Sequence, residues 1–238
     1  MLLTLALCTV GVGVVSAARL PFLRHTLDGV EAVLKWGEGE LGTPAVVTYG
    51  FVTEPTVFDG NVGEVARCRD LVPLAGSLPG ITQEELDATA AYAFGEWSAL
   101  SGMEFKRAAP GERPQVLLGA QTKPSGVAWT NLRAKSSAGR GFHRITAGAI
   151  CFSPRPKMNG WPKARVWRIA KNGEVLEPEE DFAYGLVHEV GHVVGVDHPD
   201  LKAEENVMGY TMTGIRTITE ILAGVATFLY GPQILPQG

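Results

Sequence analysis

The chain has 238 residues, of which 45% are hydrophobic and 19% are charged, so it can bury a substantial core as one globular domain. Its formal net charge of −4 gives no reason to expect binding to nucleic acid. No internal repeat or low-complexity tract is visible, and no phosphate-binding glycine loop precedes a predicted helix.

The first segment of the chain, residues 2–17, is an uncharged apolar run that ends in small residues. It predicts a secretory signal peptide over residues 1–17, followed by a short N-terminal segment over 18–35. No Lys or Arg precedes the run, and the alternative is an uncleaved membrane anchor, for which the run is short. We expect a secreted, periplasmic or extracellular protein with no membrane span after signal removal.

The cysteines follow from this assignment. Cys8 would leave with the signal peptide, and Cys68 and Cys151 would remain. Two cysteines in an exported protein allow one disulfide, and two free thiols are the alternative.

The main domain is predicted over residues 36–238. Residues 45–52 alternate and are rich in β-branched side chains, which predicts a first strand. Residues 53–80 are rich in Gly and Pro, which predicts a loop. Three further strands are predicted at residues 115–119, 126–131 and 145–152.

A helix is predicted from Thr82 to Leu100. Thr82 and Glu85 have the spacing of a capping box, and Gly102 can end the helix. Its apolar side chains recur at helical spacing, which is typical of a core-facing stripe. The aromatic residues assigned to the core are Tyr92, Phe94 and Trp97.

A turn signal lies at residues 171–174, Lys-Asn-Gly-Glu. It predicts a hairpin between strands at 166–169 and 175–176. The hairpin is either a lid over a cleft or a surface arm.

Three of the five histidines lie close together, at His188, His192 and His198. The first two are four residues apart, so on a helix they share one face and can reach one metal ion. Glu189 is placed to act as a general base beside such a metal. Gly195 can end the helix in a left-handed conformation, after which the chain can return with His198 as a third ligand.

This pattern, His-Glu-x-x-His-x-x-Gly-x-x-His, followed ten residues later by Met208, resembles the metzincin signature and is most similar to its matrixin branch. Residues 218–232 resemble the last helix of a matrixin catalytic domain. The resemblance implies an α+β fold with a twisted, mostly parallel five-stranded sheet, an antiparallel edge strand, two long helices and a C-terminal helix.

The resemblance also implies an activity: a secreted zinc-dependent endopeptidase in which a zinc-bound water attacks the peptide bond and Glu189 is the general base. One catalytic zinc would be held by His188, His192 and His198, with Met208 as the packing base of a methionine turn. A peptide substrate would pair with the edge strand by strand addition. The expected backbone contacts are Gly126, Val127, Ala128 and Trp129.

Two roles stay open. Tyr210 is either close to the zinc, as in the astacin and serralysin branches, or part of a substrate-pocket wall. Cys68 could instead be a latency thiolate, but Arg69 stands where that motif has glycine.

One stretch departs from the matrixin pattern. Residues 113–173 contain no Asp or Glu, so they cannot supply carboxylates to a calcium site. We therefore expect one metal ion. The same stretch is rich in Lys and Arg, which predicts a preference for acidic protein or peptide substrates. The alternatives to the peptidase are a non-catalytic binding module and a zinc hydrolase of non-peptide amides. We expect a monomer.

Overall fold

The computed structural model describes residues 23, 25–27, 30–63, 67–137, 139–158, 161, 163–198, 206–209 and 217–233. The predicted signal peptide lies outside the described residues. Within these ranges, no helix combines the length and the apolar character that crossing a membrane requires.

The protein is an α/β structure in which helices pack on a mostly parallel sheet. The strands in the described part are β1 (His25–Leu27), β2 (Val30–Ala32), β3 (Leu34–Trp36), β4 (Ala45–Phe51), β5 (Thr56–Val57), β6 (Asp70–Val72), β7 (Met103–Arg107), β8 (Val116–Gln121), β9 (Ala128–Ser136) and β10 (His143–Phe152). The helices are α1 (Gln83–Ser98), α2 (Phe182–Val194) and α3 (Glu220–Tyr230).

The main sheet has eight strands in the described part of the chain, against the five predicted. Its continuous path is β3-β10-β8-β4-β7, and all the pairs along it are parallel. The predicted antiparallel edge strand is present as β9, which pairs with β10. Strand β7, directly after α1, was not located in the sequence. The strands beyond five are β3 and the short antiparallel pair β5 and β6, which lie in regions predicted as the N-terminal segment and as a loop.

Helix α1 begins as predicted but ends differently. Thr82 and Glu85 form the capping box. The helix ends at Ala99 in an ordinary right-handed conformation, so Gly102 is not its terminator. Gly102 is needed for a different reason, because a Cβ atom there would lie 2.3 Å from the carbonyl oxygen of Tyr230.

The apolar stripe of α1 is only partly as predicted. Phe94 and Trp97 are buried in the core, where Phe94 stacks on Tyr49 with ring centroids 4.0 Å apart. The prediction for Tyr92 is wrong, because its side chain is 41% exposed. On a helix, residue 92 lies about 200° from residue 94, which points it away from the buried face.

The predicted hairpin at residues 166–176 is also wrong, although its turn forms. Asn172 and Gly173 have positive φ angles of 52° and 78°, and the amide of Glu174 donates to the carbonyl of Lys171. The flanking residues form no hairpin, because Arg168 pairs with Asp181 at the start of α2 instead. The segment therefore braces the helix that carries the histidines.

The folded domain extends N-terminal to residue 36. β1 and β2 form an antiparallel pair, and β3 then joins the main sheet parallel to β10. The side chains of Leu23, Leu34 and Trp36 belong to the main core cluster. These residues are therefore part of the domain.

Candidate metal centre and cleft

Helix α2 carries the first two histidines of the site, and both of its ends are capped. The side chain of Asp181 accepts a hydrogen bond from the amide of Tyr184 at the N-terminus. Gly195 ends the helix with φ 104°, a left-handed conformation that glycine adopts without strain. The chain then reverses, and His198 returns beside the helix.

The structure brings the three predicted histidines together. Ring nitrogens of His188, His192 and His198 all lie within 4.8 Å of one another, so they can hold a metal ion. The Nδ1 atoms of His188 and His192 lie 2.6 and 2.8 Å from the carbonyl oxygens of Val207 and Val196. A carbonyl only accepts, so each Nδ1 carries the proton and each Nε2 keeps a lone pair for a metal.

Burial affects how these rings titrate. It is the main cause that lowers the pKa of His188 to about 4, with the nearby His198 as a second cause. The pKa of His192 is lowered by burial and then by the two neighbouring rings. Both rings are therefore neutral at pH 7, as metal ligands must be.

Met208 packs against helix α2 at Gly191, which lies between His188 and His192 in the sequence. It is fully buried, and a Cβ atom on Gly191 would lie 2.3 Å from its sulfur. The turn is held by Asn206, whose side chain accepts from the amide of Met208 at 2.8 Å. The same turn presents the carbonyl of Val207 to His188. Tyr210 lies outside the described residues.

Glu189 is buried beside the three histidines, with only 5% of its surface exposed. Burial raises the pKa of its carboxyl group to about 7, although a hydrogen bond from Thr130 opposes the shift. The Thr130 hydroxyl lies 2.7 Å from Oε2 and 3.0 Å from the carbonyl oxygen of Glu189. This contact ties the carboxylate to edge strand β9.

These groups share one cleft with a volume of about 580 Å³. All four residues predicted as substrate contacts line it, next to the three histidines and Glu189. The four are Gly126, Val127, Ala128 and Trp129.

Only part of their backbone faces outward. The carbonyls of Gly126 and Val127 already accept from the amides of Lys157 and Ser153. Because successive residues of an antiparallel strand alternate in direction, Trp129 also faces β10 while Ala128 and Thr130 face outward. Thr130 was not among the predicted contacts.

The rest of this edge is covered by residues 59–63. Leu132 exchanges backbone hydrogen bonds with Val62, and the side chain of Asn61 bonds both backbone groups of Ala134. Within the described ranges, the outward backbone groups of Ala128 and Thr130 make no hydrogen bond. Among the described residues, the edge beside the histidines is therefore unpaired at Ala128 and Thr130, and Gly63 lies close to the Thr130 carbonyl oxygen, where an added Cβ would come within 2.8 Å.

The covering segment is anchored by a disulfide between Cys68 and Cys151, whose Cα atoms are 5.4 Å apart. Cys151 lies opposite Trp129 in the β9–β10 register, so the bond sits behind the cleft wall. As a disulfide partner, Cys68 is not a free thiolate that could bind a metal.

Sequence reasoning missed two residues of the site. Thr130 lies at the open edge, and its contact with Glu189 depends on how β9 packs on α2. His25, from the N-terminal segment, also lines the cleft. Neither residue belongs to a local motif, so only its surroundings in the fold identify it.

Searches for related proteins gave no further assignment: no protein-family model and no curated protein matches this chain.

Proposed function

We propose that the protein is a zinc-dependent endopeptidase. The observation that carries the proposal is the convergence of three imidazoles and one buried carboxylate in a cleft beside an open strand edge. Three histidine ligands leave a fourth position open, which is the arrangement of catalytic rather than structural zinc. The family resemblance in the sequence points to the same activity.

The residues have distinct roles in this proposal. Zinc would supply Lewis-acid chemistry, polarising the substrate carbonyl and lowering the pKa of a water molecule. Glu189 would accept the proton from the attacking water and pass it to the leaving nitrogen. Its raised pKa suits both steps, because a group that titrates near pH 7 can take up and release a proton.

The open edge favours a peptide over other amides. An extended peptide can use the outward amide and carbonyl groups of Ala128 and Thr130 as a strand partner. The side of Thr130 that faces α2 also holds Glu189, so backbone pairing would place the scissile bond near the base. A small non-peptide amide has no strand to offer.

We expect the protein to contain one zinc ion per chain and to need no calcium. The three histidines are the only cluster of metal-binding type in the described part of the chain, and the acid-free stretch 113–173 offers calcium no carboxylates. The measurement is metal content together with cleavage of a denatured protein. A zinc chelator should abolish cleavage, and added zinc should restore it.

A calcium-selective chelator is the control for that experiment and should change neither activity nor stability. Two zinc ions per chain, or a large loss of stability on calcium removal, would contradict the expectation. Metal binding without any hydrolysis would favour the binding-module alternative.

Substrate charge gives a second expectation. In the basic stretch 113–173, five Lys and Arg side chains pair with carboxylates, which offset their charge. Three exposed cations near the cleft have no ion pair among the described residues. Arg155 and Lys157 follow the end of β10, and the backbone amide of Lys157 donates to the carbonyl of Gly126. Lys123 lies three residues before Gly126.

We therefore expect higher kcat/KM for a peptide flanked by Glu than for one with the same scissile bond flanked by Lys. The preference should be several-fold at low salt and should shrink as salt rises, because screening shortens the range to about 10 Å at 0.1 M. Lys157→Glu should reduce the preference for the Glu-flanked peptide. Arg113→Glu is the matched control, since Arg113 is exposed but lies before the start of β8, whereas Lys123 follows the end of that strand. Equal efficiency for both peptides would show that the cations are ordinary surface charge.

A further inference from the structure

The end of α2 is held by residues that are distant in the sequence. A helix leaves its last carbonyl groups without intrahelical partners. Here three consecutive carbonyls each accept a side-chain hydrogen bond, so the backbone is fixed where the chain turns toward His198. The pairs are Trp36 Nε1 with the Val193 oxygen at 2.7 Å, Tyr230 Oη with the Val194 oxygen at 2.6 Å and His25 Nε2 with the Gly195 oxygen at 2.9 Å.

His25 is the donor that reaches past the helix into the turn. Its Nε2 donates to Gly195, and its Nδ1 lies 3.7 Å from Oδ2 of Asp197. The other oxygen of Asp197 accepts from the backbone amide of His198 at 2.7 Å. Asp197 is therefore a neighbour of both histidines, but 3.7 Å is too long for a hydrogen bond, so His25 holds this turn through its bond to the Gly195 carbonyl.

The turn has little freedom to move away from this contact. A Cβ atom on Gly195 would lie 2.5 Å from the carbonyl oxygen of Leu34, so the N-terminal segment packs directly on the turn. β1 and β2 place His25 on the same surface, with only 7% of its area exposed.

We propose that His25 is a positioning residue for the third metal ligand, holding the Gly195–Asp197 turn so that His198 faces His188 and His192. The inference rests on the metal-binding part of the proposed function, not on peptide hydrolysis. Residues that orient metal ligands contribute about 10- to 100-fold to metal affinity. The N-terminal segment would thus contribute to the metal centre by orienting one of its ligands.

The test is the zinc affinity of the full chain, measured by competition with a chromophoric chelator. His25→Phe keeps a ring of similar size without a donor, and His25→Asn keeps polarity but is too short to reach Gly195. Both should bind zinc at least about tenfold more weakly than wild type. His25→Gln, which can still donate to the Gly195 oxygen, should recover most of the loss. His143→Ala, at a histidine outside the cluster, is the control and should bind as wild type does.

A double-mutant comparison separates positioning from general destabilisation. If His25 acts through His198, His25→Phe should cost nothing further in a His198→Ala background. An equal loss in both backgrounds would overturn the proposal, as would wild-type affinity in either donor-free variant. Failure of both to fold would show that His25 serves the whole fold and would also overturn it. A wild-type chain that binds no zinc would instead contradict the proposed function.

Discussion

Replacing Glu189 with Ala is expected to remove nearly all peptide hydrolysis while leaving the zinc bound. The three ring nitrogens that would hold the metal do not depend on this carboxylate. The group that accepts the proton is lost, and general-base catalysis is worth about 10²- to 10⁴-fold in rate. The measurement is kcat on a denatured protein or peptide, together with the zinc content of the same sample.

Glu189→Gln makes the comparison stricter. The amide has nearly the same shape, and its oxygen can still accept the hydrogen bond from Thr130. The rate should nevertheless fall by a similar factor, because an amide is not a base. Glu54→Ala, at an exposed position outside the cleft, is the matched control. Cleavage by either Glu189 variant at a rate near wild type would show that the assignment is wrong.

Removing the Cys68–Cys151 disulfide is expected to lower the free energy of unfolding by about 4 kcal/mol. The bond joins residues that are 83 positions apart, and a cross-link that closes a long loop restricts the unfolded chain strongly. The measurement is chemical denaturation of a Cys68→Ala, Cys151→Ala double variant against wild type under oxidising conditions.

Two further measurements make this result specific. Reductant should destabilise the wild type and leave the double variant unchanged. Peptide hydrolysis should fall in the double variant even where it is folded. Cys151 lies in β10 opposite Trp129, and Cys68 follows the segment 59–63 that covers β9, so the bond supports both parts of the cleft wall. Equal stability of the two proteins would contradict the prediction, because it would mean that the disulfide does not restrict the unfolded chain.

The sequence by itself predicted the features that depend on neighbouring residues. The capping box of α1, the left-handed end of α2 at Gly195 and the shared face of His188 and His192 all follow from spacings within a few residues. Such features depend on backbone geometry that is the same in any fold. The turn at Asn172 and Gly173 formed for the same reason.

Only the tertiary structure decided which partners those local elements have. The segment before the turn pairs with the start of α2 rather than with the residues after the turn, because Asp181 offers Arg168 a backbone partner there. Three-residue strands such as β3 carry too little periodicity to be recognised, and they form because β10 offers them a neighbour. Tyr92 is exposed because the core covers only one face of α1.

The candidate site divides in the same way. Its three histidines and Glu189 lie in one short motif, so the sequence alone identified them. Thr130 and His25 reach the site from β9 and β1, 59 and 170 residues away from their partners. No local pattern relates residues so far apart, and their roles depend on how the sheet and the N-terminal strands pack against α2.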